Sequence, residues 1–304
     1  MNDTIGKLAA WAGTYGEDLS VCFDEPMSRH TSFRIGGPAA LYLVPRTREA
    51  FTAAVRAAHE TETRFFVLGN GSNVLFDDAG YDGAVISSSA LDAITLDGDL
   101  LTAEAGASLS SVCKKARDAS LAGLEFAYGI PGSVGGAVVM NAGAYGGEIK
   151  DVLEESTAFD PASGEIVSIP LAEHAYGYRD SVYKHTDRIV LAASFRLVPG
   201  NREEIGAKMN DIAGRRVAKQ PLEYPSAGSV FKRPEGHFVG QMVEESGLKG
   251  FRIGGAEVSE KHAGFIVNRG GATSRDVLAL VGHIREVVLK NYGVELECEI
   301  IHVK

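Results

Sequence analysis

Residues 129–147, GIPGSVGGAVVMNAGAYGG, contain seven glycines in nineteen positions and no charged side chain. Glycine permits backbone conformations that other residues avoid, and it lets a second group approach the main chain closely. The stretch has neither the G-x-G-x-x-G of a dinucleotide fingerprint nor the GK[ST] ending of a P-loop. Two interpretations stay open from these residues alone. One is close packing against a flat, largely apolar ligand with a phosphate at one end, such as flavin adenine dinucleotide (FAD); the other is a buried structural crossing.

A second glycine loop, GNGSN (69–73), directly follows a predicted strand, RFFVL (64–68). Successive backbone N–H groups from Gly69 to Ser72 could form a concavity that binds an anion without a charged side chain. The alternative is a tight turn in which asparagine and serine bond to their own backbone. From this loop alone, the turn is favoured.

The composition is that of an ordinary globular protein: 304 residues, 45% hydrophobic, 23% charged, with a net charge of −10. An acidic chain is a poor partner for nucleic acid, and no apolar run is long enough to span a membrane. The three cysteines, Cys22, Cys113 and Cys298, lie far apart without a C-x-x-C pair. We therefore expect no disulfide framework and no metal site, and a reducing, cytoplasmic location.

Hydrophobic periodicity and turn residues predict the secondary structure. Strands are predicted at 39–44, 64–68, 83–87 and 188–198, and helices at 48–60, 108–121 and 202 to about 218. Thr273 and Asp276 predict a capping box at the start of a last helix that ends at Gly293. Residues 294–303 alternate as a strand that places Glu299 on its polar face beside Glu295 and Glu297. The turn at 199–201 predicts a boundary between domains 1–200 and 201–304.

Seven motifs in order along the chain resemble those of the UDP-N-acetylenolpyruvoylglucosamine reductase (MurB) family. They are SFRIGGPA (32–39), VLGNGSNVLFDD (67–78), YGIPGSVGGAVVMNAGAYGGEI (128–149), YGYRDSVYK (176–184), KQPLEYPSAGSVFKRP (219–234), GLKGFRIGGAEVSEKHAGFIVN (247–268) and LECEI (296–300). The resemblance runs from about residue 30 to the end. The chain leaves no obvious room for the extra substrate loop of the longer branch of the family, so it resembles the shorter branch.

The resemblance implies an α+β fold: a vanillyl-alcohol-oxidase (PCMH-type) FAD-binding domain of two subdomains, residues 1–200, and a smaller α/β substrate-binding domain, residues 201–304. It implies that FAD is bound non-covalently, through main-chain contacts supplied by both glycine loops. The implied cofactor-binding residues are Gly69, Asn70, Gly71, Ser72, Asn73, Pro131, Gly132, Ser133, Gly135, Gly136, Asn141, Ala142 and Gly143.

The reaction that the resemblance implies is the NADPH-dependent reduction of UDP-N-acetylglucosamine enolpyruvate to UDP-N-acetylmuramate, a step of peptidoglycan precursor synthesis. Three residues match the catalytic motifs of the family. Arg179 would bind the substrate carboxylate and stabilise the enolate, Ser229 would donate the proton, and Glu299 would orient or polarise the intermediate. Without the resemblance, Arg179 would be interpreted as stacked on a tyrosine or paired with Asp180, and Ser229 as a turn residue.

Cations in the second domain are the predicted contacts of the UDP-sugar. With Arg179, the implied substrate-binding residues are Lys232, Lys249, Lys261 and His262, although solvated surface charge is the alternative for each. Arg233 stands where we expect the family to favour asparagine, which changes the detail of substrate contacts there. We expect a monomer whose partners are the UDP-sugar and NADPH.

Two other functions fit parts of the sequence. One is a flavin oxidase of the same fold that uses oxygen, against which the motifs around Ser229 and Glu299 argue. The other is a UDP-sugar-binding protein without activity, against which the three filled catalytic positions argue. Turnover that depends on NADPH would distinguish the reductase from both.

Overall fold

The structure is a computed structural model that describes residues 3–304. The helices are α1 (Asp3–Thr14), α2 (Arg48–Glu60), α3 (Leu109–Asp118), α4 (Val134–Val139), α5 (Arg202–Lys219), α6 (Val239–Glu245) and α7 (Ser274–Tyr292). The strands are β1 (Leu19–Pro26), β2 (Pro38–Pro45), β3 (Phe65–Leu68), β4 (Val74–Phe76), β5 (Tyr81–Ser87), β6 (Ile94–Asp97), β7 (Leu100–Glu104), β8 (Leu121–Ala122), β9 (Gly143–Ala144), β10 (Gly147–Glu148), β11 (Leu153–Asp160), β12 (Glu165–Pro170), β13 (Ile189–Arg196), β14 (Val198–Pro199), β15 (Arg252–Ile253), β16 (Ala256–Val258), β17 (Ile266–Asn268) and β18 (Ile301–Val303).

The described chain divides into two compact units. Unit 1 comprises the chain up to Phe23, Leu41–Asn70 and Gly83–Arg216; unit 2 comprises Asp24–Ala40, Gly71–Asp82 and Val217–Lys304. Two N-terminal segments thus belong to the same unit as the C-terminal part of the chain. The predicted boundary at residue 200 separates a cofactor-binding part from a substrate-binding part. The two units are defined by contacts and not by ligands, so this boundary stays a prediction.

Unit 1 contains a five-stranded sheet in the order β12–β11–β13–β7–β6, with antiparallel neighbours throughout. Helix α4 packs on β13 and β7 of this sheet, and α3 closes the same apolar core through Val112 and Ala116. Burial of these small and branched side chains stabilises unit 1, because removing apolar surface from water is worth about 25 cal/mol per Å².

Most of the sheet in the order β1–β2–β5–β3, in which β3 and β5 are parallel, also belongs to unit 1. Helix α2 begins at Thr47, whose hydroxyl accepts a hydrogen bond from the Ala50 N–H, as expected for an N-cap. The strands predicted at 39–44, 64–68 and 83–87 and the helix predicted at 48–60 are confirmed here. So are the helices predicted at 108–121 and from 202, and the strand at 188–198, to within a few residues.

Unit 2 combines the antiparallel sheet β15–β16–β17 with the parallel pair β4–β18. Helix α7 packs on β15 and β16 through Val277, Leu280 and Ile284. The predicted capping box is confirmed, because Thr273 accepts from the Asp276 N–H and the Asp276 carboxylate accepts from the Thr273 N–H. The helix ends as predicted at Gly293, which has a φ of 68°.

The predicted terminal strand is wrong over most of its length, since only Ile301–Val303 is a strand. Residues 297–299 instead follow an irregular segment at 230–232, with an isolated bridge between Phe231 and Cys298. No regular pleat enforces alternation there, so Cys298 is exposed rather than buried, and Glu299 is half-buried while Glu295 and Glu297 are exposed.

Two further findings concern the whole described chain. All three cysteines are free thiols. Among residues 3–304, no helix is both long enough and apolar enough to traverse a bilayer.

Candidate active site

The glycine-rich stretch 129–147 contains regular secondary structure. It contains the short helix α4, with Ser133 at its N-cap position, and the hairpin β9–β10. Tyr145 and Gly146 both have positive φ, 53° and 89°, which is the backbone of a tight hairpin turn. The sequence did not reveal this helix, because glycine is a poor helix former and two of its six residues are glycine.

The two glycine loops meet within unit 1. A Cβ placed on Gly69 would lie only 2.3 Å from the Ser133 hydroxyl oxygen, so the loops are in direct contact where β3 ends and α4 begins. The Ser133 hydroxyl does not cap its helix. A larger residue at position 69 would require the Ser133 side chain to move. This juxtaposition brings together residues from the two sets predicted to bind the cofactor.

Several backbone N–H groups of these loops donate to no acceptor within the described chain. Gly135 N–H and Val134 N–H bond to carbonyls of Ala105 and Ala107, which fixes α4 on the residues after β7. In contrast, five N–H groups in unit 1 donate to no protein acceptor among residues 3–304: those of Gly69, Asn70, Gly132, Ser133 and Gly136. N–H donors without a protein partner suit a phosphate-bearing or carbonyl-bearing ligand.

Arg216 is a second feature that fits such a ligand, and no sequence motif marks it. Its Nε is buried and has no hydrogen-bond partner among the described residues. A Cβ on Gly129 would lie 3.1 Å from Arg216 Cδ, so the arginine packs against the start of the glycine-rich stretch. Burial lowers the pKa of the Arg216 guanidinium. A buried donor without an acceptor is uncommon, and the oxygens of a bound FAD would satisfy it.

The other predicted cofactor residues have different surroundings. Gly71 and Asn73 belong to unit 2: a Cβ on Gly71 would lie 2.1 Å from the His30 carbonyl oxygen, and Asn73 Nδ2 donates to the Glu299 carbonyl. A Cβ on Gly143 would strike the neighbouring strand β10. Asn141 is fully buried. Pro131, Ser72 and Ala142 are exposed or half-buried.

Arg179 lies at the tip of a tight turn in unit 1. The Gly177 and Asp180 backbones bond to each other across the turn, and Arg179 has a φ of 55°. Left-handed backbone is unfavourable for arginine, and such strain concentrates at functional sites. The Arg179 guanidinium lies 5.0 Å from the centre of the Tyr178 ring, and its Nη2 donates to the Gly143 carbonyl. The stacking that we gave as the alternative is therefore present, together with contact to the glycine-rich stretch.

A buried polar network forms the base of this turn. His174 is fully buried; its Nε2 lies 2.8 Å from the Ser156 hydroxyl, and its Nδ1 lies 3.0 Å from the Pro170 carbonyl. Ser156 also bonds to the Tyr183 hydroxyl, and the His174 carbonyl accepts from the Val182 N–H. Because these bonds connect β11 to both ends of the turn segment, they hold the arginine-bearing turn on the sheet.

We expect this network to make the protein less stable in mild acid. Burial lowers the pKa of His174, so below about pH 6.5 the unfolded chain binds a proton that the folded chain does not. The free energy of unfolding then falls with pH by up to about 1.4 kcal/mol per unit until the lowered pKa is reached. His174→Gln has no such component, so urea unfolding should show that the unmodified protein loses free energy of unfolding relative to His174→Gln as the pH is lowered from 7.5 to 5.5. A constant difference would contradict this prediction.

Unit 2 brings the other two predicted catalytic residues together. The Glu299 N–H donates to the Val230 carbonyl, which belongs to the residue after Ser229. Ser229 is exposed and forms an isolated bridge to Phe265. Asn73 also bonds to the segment that carries Glu299. Its Nδ2 donates to the Glu299 carbonyl, and its backbone carbonyl accepts from the Ile301 N–H. Arg179 belongs to unit 1, so unit 1 contains one of the three predicted catalytic residues and unit 2 contains the other two.

The predicted substrate-binding cations of unit 2 are all engaged. Lys232 pairs with Glu297, Lys249 with Glu244 and Lys261 with Glu223. His262 is half-buried and accepts from the Gly264 N–H; burial lowers its pKa, and the nearby positive charges of Lys249 and Lys219 contribute. His262, Lys249 and Lys219 are thus neighbours in the same electrostatic environment.

Arg233, the residue that departs from the expected asparagine, stacks on Phe238. The guanidinium carbon lies 3.9 Å from the ring centre, and Nε donates to the His237 carbonyl. Phe238 is 56% exposed, so the pair presents a flat apolar and cationic surface on unit 2.

Comparisons with known proteins cover nearly the whole chain. Residues 39–170 match the family model described as an FAD binding domain, and residues 220–303 match that of the UDP-N-acetylenolpyruvoylglucosamine reductase C-terminal domain. The UDP-N-acetylenolpyruvoylglucosamine reductase of Clostridium perfringens is 46% identical over 284 residues, which are 93% of this chain and 92% of that protein. The corresponding protein of Staphylococcus carnosus is 48% identical over 277 residues, 91% of this chain and 90% of that protein.

A solved structure shows the same fold. The crystal structure of UDP-N-acetylenolpyruvylglucosamine reductase from Thermus caldophilus superposes with a TM-score of 0.79 at 35% identity, covering 94% of this chain and 99% of that chain. The predicted fold class is confirmed: a PCMH-type FAD-binding domain precedes a smaller C-terminal domain. Both glycine loops lie within the matched FAD-binding region.

Proposed function

The chain belongs to the UDP-N-acetylenolpyruvoylglucosamine reductase family, and from this premise we propose that it reduces UDP-N-acetylglucosamine enolpyruvate to UDP-N-acetylmuramate with NADPH as the hydride source. It is an FAD-dependent oxidoreductase of peptidoglycan precursor synthesis. The observation that carries the proposal is identity of 46% over 93% of the chain, with all three catalytic motif positions filled by Arg179, Ser229 and Glu299.

The residues of unit 1 fit FAD. The unpaired N–H groups of Gly69, Asn70, Gly132, Ser133 and Gly136 and the buried Nε of Arg216 would hold its oxygens. When bound, FAD accepts a hydride from the nicotinamide and delivers it to the substrate alkene. The described residues would bind and orient FAD and the substrate, and the FAD would carry the electrons.

The substrate carboxylate and the developing negative charge are the groups that the protein must stabilise. Hydride addition to the terminal alkene carbon places charge on the adjacent carbon and the carboxylate, and a proton then completes the saturated ether. Arg179 offers paired N–H donors to a carboxylate, and Glu299 orients the intermediate. Ser229 Oγ donates the proton to the carbon, as a general acid. Donors aimed at charge that appears only in the transition state lower the barrier most.

The nucleotide half of the substrate would meet the cations of unit 2. Lys249 and His262, with Lys219 nearby, are proposed to bind the diphosphate, and Lys232 and Lys261 to contribute after exchanging their glutamate partners. The exchange of a surface carboxylate for a phosphate costs little, because exposed ion pairs contribute only about 0–1 kcal/mol. The protein is expected to act as a monomer in the cytoplasm, where thiols stay reduced.

The visible spectrum of the purified protein tests the function. We expect an oxidised flavin spectrum that NADPH bleaches and that UDP-N-acetylglucosamine enolpyruvate restores under anaerobic conditions. UDP-N-acetylglucosamine, which lacks the alkene, is the matched control and should restore nothing. A protein that stays colourless with added FAD, or one that oxygen reoxidises but the enolpyruvate does not, would overturn the proposal.

Gly136 allows a test of the flavin contacts that is separate from activity. A Cβ there would meet nothing closer than the Ser133 hydroxyl, at 3.6 Å, and φ is not positive, so the fold itself does not require glycine. Gly136→Ala should raise the stability of the flavin-free protein by about 0.5–1 kcal/mol through helix propensity. If FAD packs on this backbone, its dissociation constant should rise about tenfold or more, as measured by fluorescence titration.

Gly6→Ala is the matched control for this prediction. Gly6 lies inside α1, where an added Cβ would meet nothing within 4 Å and so would not clash either. It should gain similar stability without any change in FAD affinity. Equal FAD affinities for Gly136→Ala and the unmodified protein would remove Gly136 from the cofactor site.

A further inference from the structure

We propose that Asn141 is a positioning residue for Arg179: its side-chain amide fastens the turn that carries the arginine to the glycine-rich stretch. The functional meaning of this fastening rests on the proposed function, in which Arg179 binds the substrate carboxylate. The fastening itself rests on the hydrogen bonds of unit 1.

The Asn141 side chain is fully buried, and its polar groups are all engaged. The two amide hydrogens are donated to the Glu148 carboxylate and to the Gly177 carbonyl, each at 3.0 Å. Oδ1 accepts from the Lys150 N–H at 3.1 Å. The side chain therefore joins three segments: the residues just after α4, the end of the β9–β10 hairpin and, 36 positions further along the chain, the start of the arginine turn.

The backbone of Asn141 also favours asparagine. Its φ is 42°, in the left-handed region that asparagine tolerates better than other non-glycine residues. Aspartate has nearly the same shape, but it would lose both donors and place a second carboxylate beside Glu148. Alanine would leave the Gly177 carbonyl and the Glu148 carboxylate without this donor. Asparagine is thus suited to the position by both conformation and bonding.

Two further hydrogen bonds connect the arginine turn to the glycine-rich stretch. The Ser181 hydroxyl donates to the Val139 carbonyl at 2.7 Å, and Arg179 Nη2 donates to the Gly143 carbonyl at 3.2 Å. Ser181 follows Arg179 in the chain, and Gly177, which accepts from Asn141, precedes it. Both ends of the turn are therefore held to residues 139–141, and the strained φ of Arg179 can persist because its surroundings are fixed.

Charge near the junction favours the same arrangement. The Glu148 carboxylate bonds to Asn141 and pairs with Lys150 at 2.7 Å; these groups and the Arg179 charge lower its pKa. Because Glu148 stays ionised, it attracts the Arg179 guanidinium toward the glycine-rich stretch. A carboxylate-binding arginine held in this way needs little reorganisation when substrate arrives.

Hydrogen exchange tests the fastening independently of catalysis. In the FAD-bound Asn141→Ala protein, the amides of residues 177–181 should exchange at least tenfold faster than in the unmodified protein. Ser181→Ala, which removes the other bond, should produce the same local change. Asn201→Ala, which removes an asparagine that bonds only to backbone N–H groups at the start of α5, should leave this segment unchanged. Unchanged exchange in both Asn141→Ala and Ser181→Ala would overturn the proposal.

A double-mutant cycle tests the action through Arg179. Asn141→Ala should slow reoxidation of the reduced protein by the enolpyruvate at least tenfold and raise the KM for that substrate. Arg179→Lys should also be slow, and adding Asn141→Ala to it should slow it no more than twofold further. Multiplicative effects, or loss of FAD from Asn141→Ala, would overturn the proposal. If that variant does not fold, Ser181→Ala takes its place in the cycle. A normal rate for Arg179→Lys with faster exchange in Asn141→Ala would overturn the role of Arg179 while the fastening stands.

Discussion

Replacing Arg179 with glycine is expected to slow reoxidation of the reduced protein by the enolpyruvate about 10³-fold while leaving the free energy of unfolding within about 1 kcal/mol of its original value. The loss follows from removing the paired donors to the substrate carboxylate. The stability follows from the backbone, because Arg179 occupies a φ of 55° that glycine adopts without strain. Relief of that strain offsets the lost ring contact with Tyr178 and the bond to the Gly143 carbonyl. Stopped-flow absorbance and urea unfolding measure the two quantities.

Glu62→Gly is the matched control for this result. Glu62 is exposed, has a φ of 53°, and follows α2 in unit 1. The same relief of strain is expected there, without any effect on the rate of either half-reaction. If Arg179→Gly reoxidises at the normal rate, the arginine does not bind the substrate carboxylate. If it unfolds far more easily than Glu62→Gly, the turn is held mainly by the arginine side chain.

The elements that the sequence predicted well are those whose signals are local. Helix α2 combines a threonine N-cap with an apolar face, and α7 combines a capping box with a glycine that ends it. These signals lie within a few residues of the element, so no tertiary information was needed. Helix α4 lacked them: its Val134, Ala137 and Val138 are buried on the sheet, and packing overrides the low helix propensity of its glycines. The strand predicted at 294–303 failed for the opposite reason, since alternation without a regular partner strand does not define a strand.

Some residues of the candidate site were predicted from the sequence, and others were found only in the structure. The motif resemblance supplied Arg179, Ser229 and Glu299, and the structure shows the last two held by adjacent backbone bonds in unit 2. Sequence reasoning missed Arg216 and the fastening role of Asn141. Arg216 is one of two consecutive arginines on a helix, and nothing in the sequence marks it as buried and unpaired. The Asn141 bond to Gly177 joins residues 36 positions apart, a distance across which no periodic pattern carries information.

Ser229→Ala is expected to slow reoxidation of the reduced protein by the enolpyruvate about 10²–10⁴-fold, the range associated with loss of a general acid, and to leave reduction by NADPH unchanged. The change removes one exposed oxygen from unit 2, and Ser229 contributes to the fold through its backbone bridge to Phe265, so stability should not change. The two half-reactions are measured separately in the same sample, which makes flavin reduction the internal control for folding and for FAD content.

A proton donor leaves a signature that a residue with a purely steric role does not. In the unmodified protein, reoxidation by the enolpyruvate should be slower in deuterium oxide to the extent that proton transfer limits it, and Ser229→Ala should change that solvent isotope effect as well as the rate. Ser229→Cys keeps a donor of similar size at the same position and should recover part of the lost rate. If both half-reactions slow equally in Ser229→Ala, the serine is not the proton donor, because a proton donor to the enolpyruvate affects only reoxidation. A normal rate of reoxidation would instead show that a different group donates the proton. Glu299 would then be the next residue to replace, because its N–H bonds to the carbonyl of Val230, the residue after Ser229.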